Sequence, residues 1–234
     1  MGLFTFGPPR HVMVALARKF GLREFVETGT HMGETAAWAS GFFDRVFTVE
    51  NSEVLYRETS KRLAGIRNMT FLHGSSPDVL PEVLSALRGP AVFWLDAHWC
   101  GGLTAGMDRE CPLLEEIEML NATNEDHFLF IDDARLFTTA PPDEHAAEAW
   151  PSFPSVLDAL RAGPGKRYTI VQDDVIVSVP GFASTQLWEA YANEPSRARD
   201  TLEQTVLGAV RGASKPARRL VRAIRAKRSR PING

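Results

Sequence analysis

AVFWLD at residues 91–96 and HFLFIDD at residues 127–133 are two apolar runs that each end in carboxylate. An unbroken apolar run bounded by polar residues is typical of a strand that is buried on both faces, as in a parallel sheet covered by helices. The carboxyl ends of such strands meet at one edge of the sheet, where open α/β folds bind their ligands. Three carboxylates that converge there repel one another unless a cation or a proton lies between them. The pattern therefore indicates a hard divalent metal ion.

Strands and helices alternate along the rest of the chain. The predicted strands cover residues 25–26, 46–50, 69–72, 91–95 and 127–131, and the predicted helices cover 8–19, 33–40, 52–64, 77–87, 111–120 and 151–162. Right-handed crossovers then give a parallel sheet with helices on both faces. Two further strands flank Gln172-Asp173-Asp174 and indicate a closing hairpin, which adds an antiparallel strand. The sequence predicts a doubly wound, Rossmann-like α/β domain over residues 1–181, a helical accessory segment over 182–210 and a basic tail over 211–234.

Composition and charge place the chain among globular proteins. Hydrophobic residues make up 44% of the 234 residues, which is enough for a sizeable core. The sequence has no apolar run of about 18 residues and no signal-peptide pattern, so we expect a cytoplasmic protein in which Cys100 and Cys111 are reduced thiols. The nine basic residues after Glu203 leave 17 basic against 29 acidic residues elsewhere, a net charge of −12. This acidic body argues against a nucleic-acid substrate, although the tail suits an anionic surface such as a membrane, RNA or another subunit.

A second motif, ETGTHMGET at residues 27–35, lies where the first strand turns into a helix. Its glycines let the backbone approach a ligand, and the helix N-terminus offers unpaired N–H groups. The spacing differs from the dinucleotide fingerprint, and the acid before the first glycine favours an ammonium group over a pyrophosphate. Glu50, which ends the second strand, is placed to bind a ribose diol. The segment Gly74-Ser75-Ser76 after the third strand suits an adenine.

At these positions the chain resembles class I S-adenosylmethionine-dependent methyltransferases, and among them the metal-dependent O-methyltransferases of the catechol and macrolide-sugar types. The resemblance spans about residues 22–181, and the family's first motif is E-x-G-x-x-x-G-x-[ST]. It implies a cofactor site for S-adenosylmethionine formed by Glu27, Gly29, Thr30, Gly33, Thr35, Glu50, Asn51, Gly74, Ser75, Ser76 and Asp96. It also implies that Mg²⁺ is bound by Asp96, Asp132 and Asp133.

The implied reaction moves a methyl group from a sulfonium to a hydroxyl oxygen, which has to lose its proton. Mg²⁺ would bind and orient that oxygen, and a general base would take the proton. Catechol enzymes carry a Lys three residues after the first metal-binding Asp, whereas this chain has Trp99 there. His98 is therefore the candidate base, with Asp96 as the second catalytic residue, and a sugar acceptor is favoured over a catechol. The candidate acceptor-binding residues are His98, Trp99, Arg135, His145 and Trp150.

Each of these residues also has a plain structural interpretation. Asp132-Asp133 fits a turn cap, Glu27 a surface acid, His98 a structural histidine, His145 a loop residue and Trp150 core packing. Two other functions stay open, namely a nucleic-acid methyltransferase that uses the basic tail and a non-catalytic Rossmann-like binding protein. We expect a small-molecule or saccharide acceptor, and the resemblance implies a homodimer or a larger oligomer. Asp173-Asp174 is assigned to the hairpin turn, without chemistry.

Overall fold

Seven strands form one sheet in the order β3-β2-β1-β4-β5-β7-β6. They are β1 Glu24–Thr28, β2 Arg45–Glu50, β3 Met69–His73, β4 Val92–Leu95, β5 Phe128–Ile131, β6 Arg167–Gln172 and β7 Val175–Pro180. The first five strands are parallel, and β7 is antiparallel to both β5 and β6. The computed structural model describes residues 7–98, 110–139 and 147–193. The predicted doubly wound sheet with a closing antiparallel hairpin is confirmed.

Helices connect the strands. They are α1 Arg10–Phe20, α2 Glu34–Ala39, α3 Glu53–Arg62, α4 Ser76–Ala86, α5 Leu113–Ala122, α6 Ala134–Thr138, α7 Phe153–Arg161 and α8 Ser184–Ala192, with single 3-10 turns at Ala147–Ala149 and Gly181–Ala183. The predicted N-cap Ser52 accepts a hydrogen bond from the Leu55 backbone N–H. The sequence did not predict α6. This helix depends on contacts with the β6–β7 turn, which is distant from it in the chain. In the described ranges, we find no helix with the length and apolar character needed to cross a membrane.

The core lies on both faces of the sheet. On one face, α1, α2 and α8 pack against strand residues that include Trp94 and Phe130. On the other face, α4, α5 and α7 pack against residues that include Phe93 and Leu129. Adjacent strand residues thus serve opposite faces, because successive side chains of a strand alternate in direction. Leu187 of α8 is fully buried, so the start of the predicted accessory segment packs on the sheet.

The strand register aligns the ends that carry the predicted site residues. Thr28 pairs with Leu95, and Leu95 pairs with Ile131, so the residues that follow β1, β4 and β5 lie at one level of the sheet. Asp96 and Asp132 are two of those residues. The strand order reverses between β1 and β4, and open α/β sheets bind ligands in the crevice at such a point.

Candidate active site

The glycine loop after β1 lies against the end of β4. Gly29 has a φ of +89°, and a Cβ on it would lie 2.1 Å from the carbonyl oxygen of Asp96. Gly33 has a φ of +64°, and a Cβ there would lie 2.7 Å from the Thr59 side chain of α3. A side chain at either position is therefore excluded both by the backbone conformation and by a close neighbour.

The carboxylate of Glu27 is buried beside this loop, with only 2% of the residue exposed. The Thr48 hydroxyl donates to Glu27 Oε2 at 2.7 Å, and the hydroxyl oxygens of Thr48 and Thr30 are 2.5 Å apart. Burial raises the pKa of Glu27 to about 8, with further contributions from neighbouring carboxylates, whereas hydrogen bonds from Thr48 and Thr35 oppose the shift. The interpretation of Glu27 as a surface acid is therefore wrong. A buried acid of this kind suits a cationic ligand group.

Glu50 joins the glycine loop to the turn after β2. Its Oε2 accepts a hydrogen bond from the backbone N–H of His31 at 2.7 Å, and its Oε1 accepts one from the backbone N–H of Ser52 at 2.8 Å. Glu50 is 6% exposed, whereas its neighbour Asn51 is exposed. The carboxylate thus lies at the sheet edge next to the loop, and its binding of a ribose stays a prediction.

The predicted adenine side lies at the start of α4. Gly74 has a φ of +144°, Ser75 is the N-cap residue of α4, and Ser76 is buried in the first helical turn. Sequence reasoning missed Glu116 of α5, which is 1% exposed and whose carboxyl faces the hydroxyls of Ser76 and Thr28. Burial raises the pKa of Glu116, and those two hydroxyls oppose the shift. The only signal for it in the sequence was a carboxylate on the apolar face of an amphipathic helix.

The structure brings Asp96, Asp132 and Asp133 together after β4 and β5. Burial raises the pKa of Asp96 to about 6, and burial with the neighbouring carboxylates raises that of Asp132 to about 8. Asp132 Oδ1 accepts a hydrogen bond from the Asp133 backbone N–H at 2.8 Å, and Asp133 has a left-handed φ of +56°. Burial is the main cause of both shifts, and the charges of the neighbouring carboxylates add to it.

His98 lies between two of these carboxylates. Its Nε2 is 2.7 Å from Asp133 Oδ2, and its Nδ1 is 3.6 Å from Asp96 Oδ1. The centroid of its ring is 5.5 Å from that of Trp150, whose indole N–H donates to Glu110 Oε2 at 2.9 Å. Trp150 is 7% exposed and its ring packs against that of His98. Its contact with an acceptor stays a prediction.

Arg135 binds Asp133 on its other oxygen. The guanidinium pairs with both Asp133 and Asp174, and the Arg135 backbone N–H donates to Asp174 Oδ1 at 2.8 Å. The Ala134 backbone N–H also donates to the Asp174 carbonyl oxygen at 2.8 Å. Burial acts to raise the pKa of Asp133, but the hydrogen bonds and charges of His98 and Arg135 outweigh it and hold that pKa below its usual value. Asp174 lies in the predicted hairpin turn between β6 and β7, and its contacts with Arg135 connect that turn to the cluster of carboxylates.

The arrangement of Asp133 does not fit the Mg²⁺ site that the resemblance implied. Mg²⁺ needs carboxylate oxygens directed at the ion at about 2.0–2.1 Å. One oxygen of Asp133 instead bonds to His98, and the other pairs with Arg135. Within residues 7–98, 110–139 and 147–193, no group of three or more His, Cys, Asp or Glu side chains is arranged to hold a metal ion.

Several predictions made from the sequence concern parts of the chain that the structure does not describe. Two candidate acceptor-binding residues, Trp99 and His145, lie outside the described residues, as do Cys100 and the basic tail. Cys111 is described as a free thiol, and burial raises its pKa to about 11, so it is an unreactive cysteine at neutral pH.

Solved structures of O-methyltransferases resemble this chain. One is TomG from Streptomyces achromogenes, an O-methyltransferase involved in tomaymycin synthesis that was solved with S-adenosylmethionine. Its sequence is 16% identical, the TM-score is 0.52, and the match covers 76% of this chain and 82% of the TomG chain. An O-methyltransferase from Bacillus cereus, solved with S-adenosylhomocysteine, is 16% identical with a TM-score of 0.53, covering 75% of this chain and 82% of its own. No family model and no curated protein matches the sequence. At this identity the likeness shows the fold alone, which is a Rossmann-like α/β fold.

Proposed function

We propose that this protein is an S-adenosylmethionine-dependent methyltransferase that methylates a hydroxyl oxygen of a sugar or another small-molecule acceptor. The observation that carries the proposal is the buried carboxylate of Glu27 beside the glycine loop. A buried carboxylate is costly unless a cation or a proton neutralises it, and the ammonium group of the cofactor is such a cation. The likeness in fold to O-methyltransferases solved with S-adenosylmethionine and S-adenosylhomocysteine supports this assignment.

The proposed cofactor site uses the ends of the first three strands. Glu27 binds the ammonium group, Glu50 binds the ribose hydroxyls, and Ser75 with Ser76 binds the adenine. Gly29 allows the ligand to approach the backbone, because no side chain can stand there. When bound, the cofactor supplies an electrophilic methyl group. The protein has to hold an acceptor oxygen in line with that group and remove its proton.

His98 is the proposed base. Because the pKa of Asp133 is held below its usual value, Asp133 is ionised, and we assign the hydrogen that lies between it and His98 to Nε2. Nδ1, on the side of Asp96, is then the nitrogen that takes the acceptor proton. The imidazolium that forms lies between two carboxylates, whose charges stabilise it. A positioned base of this kind typically contributes about 10²–10⁴-fold to the rate.

An uncharged acceptor is favoured by the charge of the protein. The net charge of −12 outside the basic tail repels a polyanion such as RNA. The sugar is preferred to a catechol because this chain has Trp99 at the position where catechol enzymes carry a lysine.

Calorimetric titration with S-adenosylhomocysteine tests the cofactor assignment. We expect the folded wild-type protein to bind it, and we expect Glu27→Gln to bind it more weakly because the ammonium group loses its anionic partner. A folded wild-type protein that does not bind S-adenosylhomocysteine would rule the proposal out. A screen of sugars and other small alcohols for S-adenosylhomocysteine release then identifies the acceptor. Deletion of residues 211–234 should leave this release unchanged, whereas a nucleic-acid methyltransferase that uses the tail would lose it.

A further inference from the structure

We propose that two basic side chains of the protein, His98 and Arg135, occupy the place of the divalent metal, so that this methyltransferase works without one. The inference rests on the proposed function and concerns the acceptor half of the same site. The family resemblance implied that the three aspartates bind Mg²⁺, and this inference reverses that expectation.

Both carboxylate oxygens of Asp133 already have basic partners. His98 Nε2 lies 2.7 Å from Oδ2, and the Arg135 guanidinium pairs with Oδ1. A metal ion bound by Asp133 would compete with these two groups for the lone pairs of its oxygens. If it displaced His98, the ion would still lie next to the Arg135 guanidinium, and the two cations would repel each other.

Asp174 fixes this arrangement from a separate element. It lies in the β6–β7 turn and accepts hydrogen bonds from the backbone N–H groups of Ala134 and Arg135, both at 2.8 Å. It also pairs with the Arg135 guanidinium. Arg135 is thus bonded through both its backbone and its side chain, and its guanidinium stays directed at Asp133. The local contact between Arg135 and Asp133 is therefore supported by the β6–β7 turn, which binds both the backbone and the side chain of Arg135.

His98 is held as firmly on the other side of Asp133. Its ring packs on Trp150, and Trp150 is fixed by the hydrogen bond from its indole N–H to Glu110. Asp96 faces the second ring nitrogen at 3.6 Å. The carboxylates that end β4 and β5 therefore meet one permanent cation, Arg135, and one base that becomes a cation when it takes the acceptor proton. The protein itself supplies the positive charge that the cluster of carboxylates requires.

Mn²⁺ binding tests the inference directly, because this ion resembles Mg²⁺ in its ligands and its free concentration is measured by electron paramagnetic resonance. The full-length protein is titrated with and without S-adenosylhomocysteine, next to Asp132→Asn, which removes a carboxylate that bonds neither His98 nor Arg135. We expect the wild type and Asp132→Asn to bind Mn²⁺ equally weakly. Stoichiometric binding by the wild type that Asp132→Asn loses would overturn the inference.

Two variants test whether the basic side chains keep the metal out. His98→Ala and Arg135→Ala each release one oxygen of Asp133, so each should bind Mn²⁺ more tightly than the wild type. Arg135 is partly exposed, so its loss leaves the core intact. Unchanged Mn²⁺ affinity in both variants would contradict the inference. Titration with S-adenosylhomocysteine separates the two proposals. A wild type that fails to bind it contradicts the proposed function, whereas the Mn²⁺ result decides whether His98 and Arg135 occupy the place of the metal.

Discussion

The affinity for S-adenosylhomocysteine is expected to rise with pH until about pH 8, because Glu27 has to lose a proton before it pairs with the ligand ammonium. Burial raises the pKa of Glu27 to about 8 in the free protein. About one molecule in ten then has an ionised Glu27 at pH 7, and about one in a hundred at pH 6. The ammonium group lowers the pKa of Glu27 in the complex, so binding releases a proton. The affinity should therefore rise about tenfold from pH 6 to pH 7, which corresponds to about 1.4 kcal/mol, and level off above pH 8.

Isothermal titration calorimetry at pH 6, 7 and 8 measures this dependence. At pH 7, titrations in buffers of different ionisation enthalpy should show that about 0.9 proton is released per ligand bound. Glu27→Gln has nearly the same shape and no titrating group, so its affinity should be low and should lack this rise. The ligand's own titration affects both proteins and cancels in the ratio of their affinities. An affinity independent of pH in the wild type, or an equal rise in Glu27→Gln, would refute the reasoning.

Four further outcomes are expected from single substitutions. Without ligand, Glu27→Gln should be more stable than the wild type at pH 8, as measured by urea unfolding. Folding raises the pKa of Glu27 from 4.5 to about 8, so the wild type loses stability as the pH rises from 4.5 to 8. Gly29→Ala should abolish binding of S-adenosylhomocysteine and lower the melting temperature, whereas Gly89→Ala, whose Cβ would meet nothing within 4 Å, should match the wild type. Leu160→Ala should lower the free energy of unfolding by about 2–5 kcal/mol, because Leu160 of α7 is fully buried. The matched control is Leu114→Ala, which should lower it less because Leu114 is exposed. Asp174→Asn should lower kcat for methyl transfer, because it loosens Arg135. It should leave the affinity for S-adenosylhomocysteine unchanged, because Glu27 and Glu50 are untouched. A loss of affinity as large as the loss of kcat would contradict this separation.

The parallel direction of the first five strands and the shared edge of their carboxyl ends could be predicted from local patterns. Each apolar run is long enough for one buried strand, and helices between such runs leave parallel crossovers as the only compact arrangement. Because the ends of parallel strands meet at one edge, the convergence of Asp96 with Asp132 follows from the sequence. Gly29 and Gly33 also carried a readable signal, since a glycine turn after a strand requires backbone conformations that other residues avoid.

The partners of the site residues were not predictable in the same way. Thr48 is the hydrogen-bond donor to Glu27 because the register of β1 and β2 pairs these two residues, and a pattern within either strand contains no register. Glu116 looked like one more charged residue on a helix. Its burial against Ser76 and Thr28 depends on how α5 packs across the sheet.

The sequence by itself determined the sheet, the glycine loop and the presence of three carboxylates at one edge, because apolar runs, turn residues and strand polarity are local properties of the chain. Only the tertiary structure decided which basic groups face those carboxylates. His98 and Asp133 are 35 residues apart, and Arg135 and Asp174 are 39 residues apart. The spacing of these residues in the sequence does not predict either contact, because each contact forms only after β4, β5 and the β6–β7 turn have come together. For that reason the acid-tipped strands predicted a metal ion, whereas the folded chain directs an imidazole and a guanidinium at Asp133.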